Sequence, residues 1–298
     1  MADVTPRWND PELDVASDSA RVRRYRRHQS RHREQVLDTP PGIRHGGTAP
    51  VGNMLDAEAV ERNRALNFVD DRALAAADRR AIEVQREGGT LEVGRLFHNM
   101  MSSMTMCFNM FGSLGATSSF VTIMRSCFDP DADSIDDVTC ELTPTRSLND
   151  RTAFDAHVAY RTATGDERFL AIETKYTEPF SQVGYNNDRY REVTESSSWF
   201  ISGAADALAA RATNQLWRGL MLTSLVEDET GARGTYVVVT PRDDSAAVRA
   251  VDATRQWMAE PHRLLLVPME GIVEQAAASG DPTLVEWSER FGRRYIVE

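Results

Sequence analysis

"TAFDAHVAYRTATGDERFLAIETK", residues 152–175, alternates apolar and polar side chains as far as Tyr160, turns through "TATGDE", and returns as an apolar run ending in Glu173-Thr174-Lys175. Period two on both sides of a Gly-Asp turn predicts two antiparallel strands, 152–160 and 168–175. "DVTCELT" at 137–143 supplies a third strand just before them. The alternation places Glu173 and Lys175 on one side of the last strand, and Asp155 with His157 and Ala159 on one side of the strand before it. Neighbouring strands then bring Asp155 beside Glu173. Two close carboxylates repel unless a proton or cation lies between them. Hard divalent ions favour such oxygen ligands and let water and phosphate complete the shell. Lys175 is the only lysine among 34 strong bases, the rest being arginine. An ammonium is a compact point charge, whereas a guanidinium is a broad fork. One lysine beside two carboxylates therefore reads as a group kept for its chemistry, against the alternative of a base surviving by chance.

Outward from this stretch the pattern changes to helices. "AEAVERNRALNFVDDRALAAADRRAIEVQREGG" is alanine-rich and amphipathic, with Asp56 as its N-cap and Gly88-Gly89 as its stop, and predicts one helix. Residues 91–111 are apolar over most of a helical circumference and predict a second, buried against the sheet. Its methionines read as core filler. Its polar exceptions include Ser102, Ser103 and Asn109, read as structural, and His98, whose role the sequence leaves open. A further helix carries "NQLWRGLMLTSL", and the 25-residue polar stretch before it offers Tyr185, Asn186, Asn187, Arg189 and Tyr190 as substrate contacts. "GTYVVVTP" and "RLLLVPM" predict two more buried strands, with helices over "DSAAVRAVDATRQWMAE" and "EGIVEQAAAS".

At 298 residues with 41% hydrophobic content the chain can bury a large core. No apolar run reaches the length of a membrane span and the N-terminus lacks signal-peptide features, so a cytoplasmic location is expected. Cys107, Cys127 and Cys140 fit no zinc spacing and read as reduced core thiols. A net charge of −11 argues against a general nucleic-acid-binding surface, yet "RVRRYRRHQSRHR" at 21–33 concentrates seven arginines. Residues 1–53 read as an arginine-rich arm and linker, mobile and partly helical at most. Such an arm grips phosphates with Tyr25 stacking, docks on a protein partner, or is simply solvated. Residues 54–298 form the domain, with its core about 91–240.

Asp155 followed by Glu173-Thr174-Lys175, set on strands after a helix, resembles the D…ExK signature of the PD-(D/E)XK nuclease superfamily. "SSMTMCFNMFGSL", "IETKYTEPF" and "NQLWR" together resemble a little-characterised bacterial branch of restriction-endonuclease-like proteins. The resemblance implies an α/β fold with an αβββαβ core, a mixed sheet flanked by helices, and an extra C-terminal strand and helices. It implies Asp155 and Glu173 as ligands of Mg²⁺ or Mn²⁺, with the Thr174 carbonyl as a third oxygen. Lys175 would stabilise charge on the phosphate or orient water, Gln215 would lie near the site, and Arg218 would reach a phosphate. The first acidic motif falls on Glu141, or on Glu92. The implied activity is metal-dependent phosphodiester hydrolysis, most of all of DNA, in restriction or phage defence; a homo-oligomer, or a protein partner docked through the N-terminal arm, is the further expectation. The other class of function is a silent nucleic-acid-binding or structural subunit of a bacterial complex that retains the fold.

Overall fold

The strands that the alternation predicts do form, and two parallel strands extend them. The computed structural model describes residues 7–87, 91–144, 148, 150, 152–181 and 183–297. In chain order its elements are α1 (Ala20–Gln35), β1 (Pro41–Ile43), β2 (Pro50–Leu55), α2 (Ala57–Arg62), α3 (Asp71–Arg86), α4 (Ser103–Cys107) and α5 (Phe120–Cys127). Then come β3 (Ala132–Leu142), β4 (Phe154–Thr162), β5 (Glu167–Thr174), α6 (Asp188–Ser196), α7 (Ala204–Leu208) and α8 (Asn214–Thr230). β6 (Arg233–Thr240), α9 (Ser245–Arg255), β7 (Leu264–Pro268), α10 (Met269–Ala278) and α11 (Pro282–Tyr295) complete the chain. The sheet runs β3-β4-β5-β6-β7, antiparallel as far as β5 and parallel from β5 to β7. Gly165, at φ +87, makes the β4–β5 turn in a conformation that a side chain would strain.

β5 is buried on both faces, as a central strand must be. Leu170 and Ile172 join Met100, Met106, Met110, Phe111, Trp287 and Tyr295 in one apolar cluster. Phe169 and Ala171 join Trp217, Leu220, Tyr236 and Leu264 in the other. The domain is therefore three layers, helix, sheet and helix, and the end of β5 lies between them. Among the described residues no helix is long and apolar enough to cross a membrane.

Three expectations require correction. The stretch read as a mobile arm forms α1, capped by the Ser19 hydroxyl, which accepts from the Val22 N–H at 3.2 Å. Tyr25, Gln29 and Arg33 are almost wholly buried, so Tyr25 has no face to offer a base. Arg26 pairs with Asp18 at 2.6 Å and also donates to Asn53, while Arg21 and Arg24 donate to Asp243 at 2.9 and 2.5 Å. The run looked solvated because Asp243 is more than 200 residues away in sequence.

The helix expected from Asp56 is divided into α2, a 3₁₀ turn and α3. Asp56 does cap α2, but Asn63 caps the 3₁₀ turn and Asp70 caps α3, each accepting from a backbone N–H. Asn67, in the break, donates its buried amide to the Leu96 carbonyl at 2.9 Å, a bond that a straight helix would forfeit. The expected stop at Gly88-Gly89 lies outside the described residues. The apolar helix expected over 91–111 is likewise broken before Ser103. Asn99 bridges Met54 there, its side-chain oxygen accepts from Met101 N–H at 3.0 Å, and Met100 N–H donates to Asn53 O at 2.9 Å. His98 is half-buried at the end of the preceding turn.

Candidate active site

β4 and β5 pair with Ala156 opposite Ile172, and β3 and β4 with Cys140 opposite Ala156. One residue further along these registers, Glu141, Asp155 and Glu173 fall in a single row across three strands. Strand pairing thus aligns the backbone positions of the three acidic candidates. Asp155 is fixed through Oδ2, which accepts from the Thr174 N–H at 2.7 Å and the Thr174 hydroxyl at 2.8 Å. Glu173 is fixed through Oε1, which accepts from Lys175 Nζ at 2.7 Å and Gln215 Nε2 at 2.6 Å. The other end of the Gln215 amide accepts from the Ser181 N–H at 2.7 Å, tying the loop after β5 to the same side chain.

The electrostatics are those of crowded carboxylates. Burial, and then the charge of Asp155, push Glu173 up to about 7 despite Lys175. Glu141 is raised for the same two reasons. Burial draws the Lys175 ammonium down, but the Glu173 and Asp155 carboxylates outweigh it and leave it above its ordinary value. Glu141 sits at φ +54, a left-handed conformation that a glutamate adopts only when the surroundings hold it. Its carbonyl accepts from Arg80 Nη2 at 3.0 Å, which anchors the kink. Glu92 is exposed and engaged with Arg95 at 3.7 Å.

Other expected contacts have structural partners. Arg218 is ion-paired with Asp150 at 3.1 Å and donates to Thr152 at 2.5 Å. Tyr190 is fully buried, its hydroxyl donating to Asp150 and its ring edge-on to Trp217, so it is no substrate contact. Asn187 caps α6 and Arg189 pairs with Glu192. Asn186 and Tyr185 are exposed.

Three groups near the site were invisible in the sequence. Tyr236 on β6 is buried, and burial together with the Glu173 and Asp155 carboxylates pushes its phenol upward. Its ring passes where a β-carbon on Gly219 would stand, 2.2 Å from that position, so only glycine lets α8 close over it. Tyr176, after Lys175, accepts from Gln29 of α1 at 2.8 Å and donates to the Tyr295 carbonyl of α11 at 3.2 Å. Its ring meets Tyr25 and Tyr295 edge-on at 5.1 and 5.3 Å. The first and last α-helices described therefore brace the residue beside Lys175.

A family model described as PD-(D/E)XK nuclease superfamily matches residues 16–297, nearly the whole chain and including α1. The chain belongs to the PD-(D/E)XK nuclease superfamily. No curated protein and no solved structure matches it. Nucleases of this superfamily generally use divalent metals. Among the described residues no group of three or more His, Cys, Asp or Glu side chains is arranged to hold an ion unaided. The donor chemistry nevertheless fits one. Two fixed carboxylates, one raised by burial and then by the charge of the other, are hard oxygen donors whose repulsion a divalent cation would relieve.

Proposed function

We propose that the protein is a metal-dependent nuclease hydrolysing phosphodiester bonds in DNA, with Asp155 and Glu173 holding Mg²⁺ or Mn²⁺. The observation that carries this reading is the Lys175 ammonium at 2.7 Å from Glu173, beside Asp155 at the end of a buried strand. When bound, the ion would polarise the phosphate and lower the pKa of attacking water.

The remaining roles belong to the chain itself. Thr174 orients Asp155 through two hydrogen bonds, and the Thr174 carbonyl is the proposed third oxygen ligand. Gln215 orients Glu173. The kink at Glu141 directs a third carboxylate toward Asp155, which makes it the proposed first-motif acid. Lys175 transfers its bond from Glu173 to the phosphate oxygen or the attacking water as negative charge develops, a stabilisation made in the transition state more than in the ground state. Tyr176 and its braces keep the lysine from swinging away. Placement in the cytoplasm rests on the absence of a long apolar run and of signal-peptide features in the sequence, and a role in restriction or phage defence on the resemblance alone.

The test is incubation of the purified full chain with linear, circular and single-stranded DNA and with RNA, each in Mg²⁺, Mn²⁺ or EDTA. Cutting of DNA that EDTA abolishes and Glu173→Gln removes is the expected result. Cutting that survives in Glu173→Gln would assign the activity to a contaminant and end this reading.

A further inference from the structure

We infer that Tyr185 is a stacking platform for an unpaired nucleobase next to the scissile phosphate, an assignment that rests on the nuclease reading and narrows its substrate. Tyr185 is 44% exposed, and it is the one aromatic among the exposed large apolar side chains described. Exposed rings ordinarily hang on mobile backbone. This one is fastened at both backbone polar groups of its residue: its N–H donates to Asn214 Oδ1 at 3.1 Å and its carbonyl accepts from Asn214 Nδ2 at 2.8 Å. Asn214 is itself 1% exposed, so a buried amide is committed to holding a surface residue.

The ring is also set flat. The Arg218 guanidinium lies 4.3 Å from its centroid, and Arg218 is in turn held by Asp150 and Thr152. One face of the ring is thus covered by a fixed cation, and the exposed area belongs to the remainder. Immobilising a side chain before the ligand arrives lowers the entropy lost on binding. A flat, fixed aromatic surface suits another flat π-system, and stacking of this kind accepts any base.

Position ties the platform to the reaction. Asn214, Gln215 and Arg218 share the start of α8, and the Gln215 amide touches Glu173 at 2.6 Å. The arginine beneath the ring is three residues from that amide, just under one helical turn or about 4.5 Å along α8. A strand whose phosphate lies at Lys175 and Glu173 would bring a neighbouring base over Tyr185. Inside a duplex that base is already stacked and paired, so the platform favours single-stranded or frayed DNA.

The test compares wild type with Tyr185→Ala, Tyr185→Phe and Tyr185→Trp as full-length proteins. Affinities for a labelled oligothymidylate and for a blunt duplex of equal length are measured in Ca²⁺ and in EDTA, alongside melting temperatures. Tyr185→Ala should weaken single-strand binding about tenfold, the scale of one lost stacking contact, and affect the duplex less. Tyr185→Phe should bind like wild type, and indole fluorescence in Tyr185→Trp should fall when oligothymidylate is added. Unchanged single-strand affinity in Tyr185→Ala, with wild type still binding and cutting, overturns the platform and leaves the nuclease reading intact. Equal losses on both substrates with a lowered melting temperature show that the ring only shields Arg218, and also overturn it. Wild type that neither binds nor cuts any nucleic acid ends both proposals.

Discussion

In α1 most cations are matched with carboxylates: Arg26 with Asp18 at 2.6 Å, Arg27 with Asp14 at 2.7 Å, Arg21 and Arg24 with Asp243. At the end of β5 one lysine stands among Glu173, Asp155 and Glu178, and Glu173 remains pushed up to about 7. The first arrangement closes its own charges and holds two layers of the fold together. The second leaves a surplus of negative charge in a buried place, a cost with no structural return. Density of charge in the sequence pointed toward the arginine run, but balance of charge in space points to the lysine.

The sharpest attempt to break this contrast is Arg26→Ala. It strands Asp18 in a buried position, and chemical denaturation should show a loss of about 3–5 kcal/mol, while the folded fraction still cuts DNA. A loss below about 1 kcal/mol, the scale of an exposed ion pair, would mean that α1 is only an appendage. Lys175→Arg works in the opposite direction. Cleavage should fall by on the order of a hundredfold with the melting curve nearly unmoved, and a variant that cut like wild type would make Lys175 another structural cation.

Metal should expose the surplus charge directly. At a concentration of 100 times its dissociation constant, Mg²⁺ or Mn²⁺ should stabilise wild type by about 2.7 kcal/mol, and Asp155→Asn should lose most of that gain. Equal shifts in the two proteins would place the ion elsewhere. The smallest effect concerns acid. Burial, then the charges of Arg294 and His28, hold His32 of α1 down to about 3. Unfolded, the imidazole takes its proton near pH 6.5, so the unfolded chain binds more protons between those values and stability falls as pH falls. By pH 5 the loss should be about 1–2 kcal/mol. His32→Gln should flatten that slope in urea titrations at pH 5 and pH 7, and an unchanged slope would assign the acid sensitivity to other groups.

The pairing of Asp155 with Glu173 was legible because period two and the Gly165 turn together determine which residues face each other. Glu141 could be named but not placed, since the alternation of β3 says nothing of a residue that turns to positive φ. Tyr236, Gly219 and Asn214 depend on how β6 and α8 pack beside β5, a relation that no local pattern encodes. The arginine run misled because a charge's partners, unlike a helix's period, need not be near it in sequence: Asp243 sits in the loop before α9. The broken helices followed the same rule, with the buried amides of Asn53 and Asn67 outweighing a locally favourable period.

Under the proposed nuclease function, the bracing of Tyr176 bears on when in its own synthesis the protein would become able to cut. Its phenol donates to a carbonyl 119 residues further along the chain, at Tyr295. A ribosome that has just added Lys175 must therefore translate α6 through α11 before this support of the lysine exists. We expect a chain stopped before Pro282 to leave this strand end slack and to cut little or no DNA, and full cutting by that truncated chain would refute the idea. On the proposed reading, the nascent chain would then be harmless to nearby DNA until α11 had emerged and folded back.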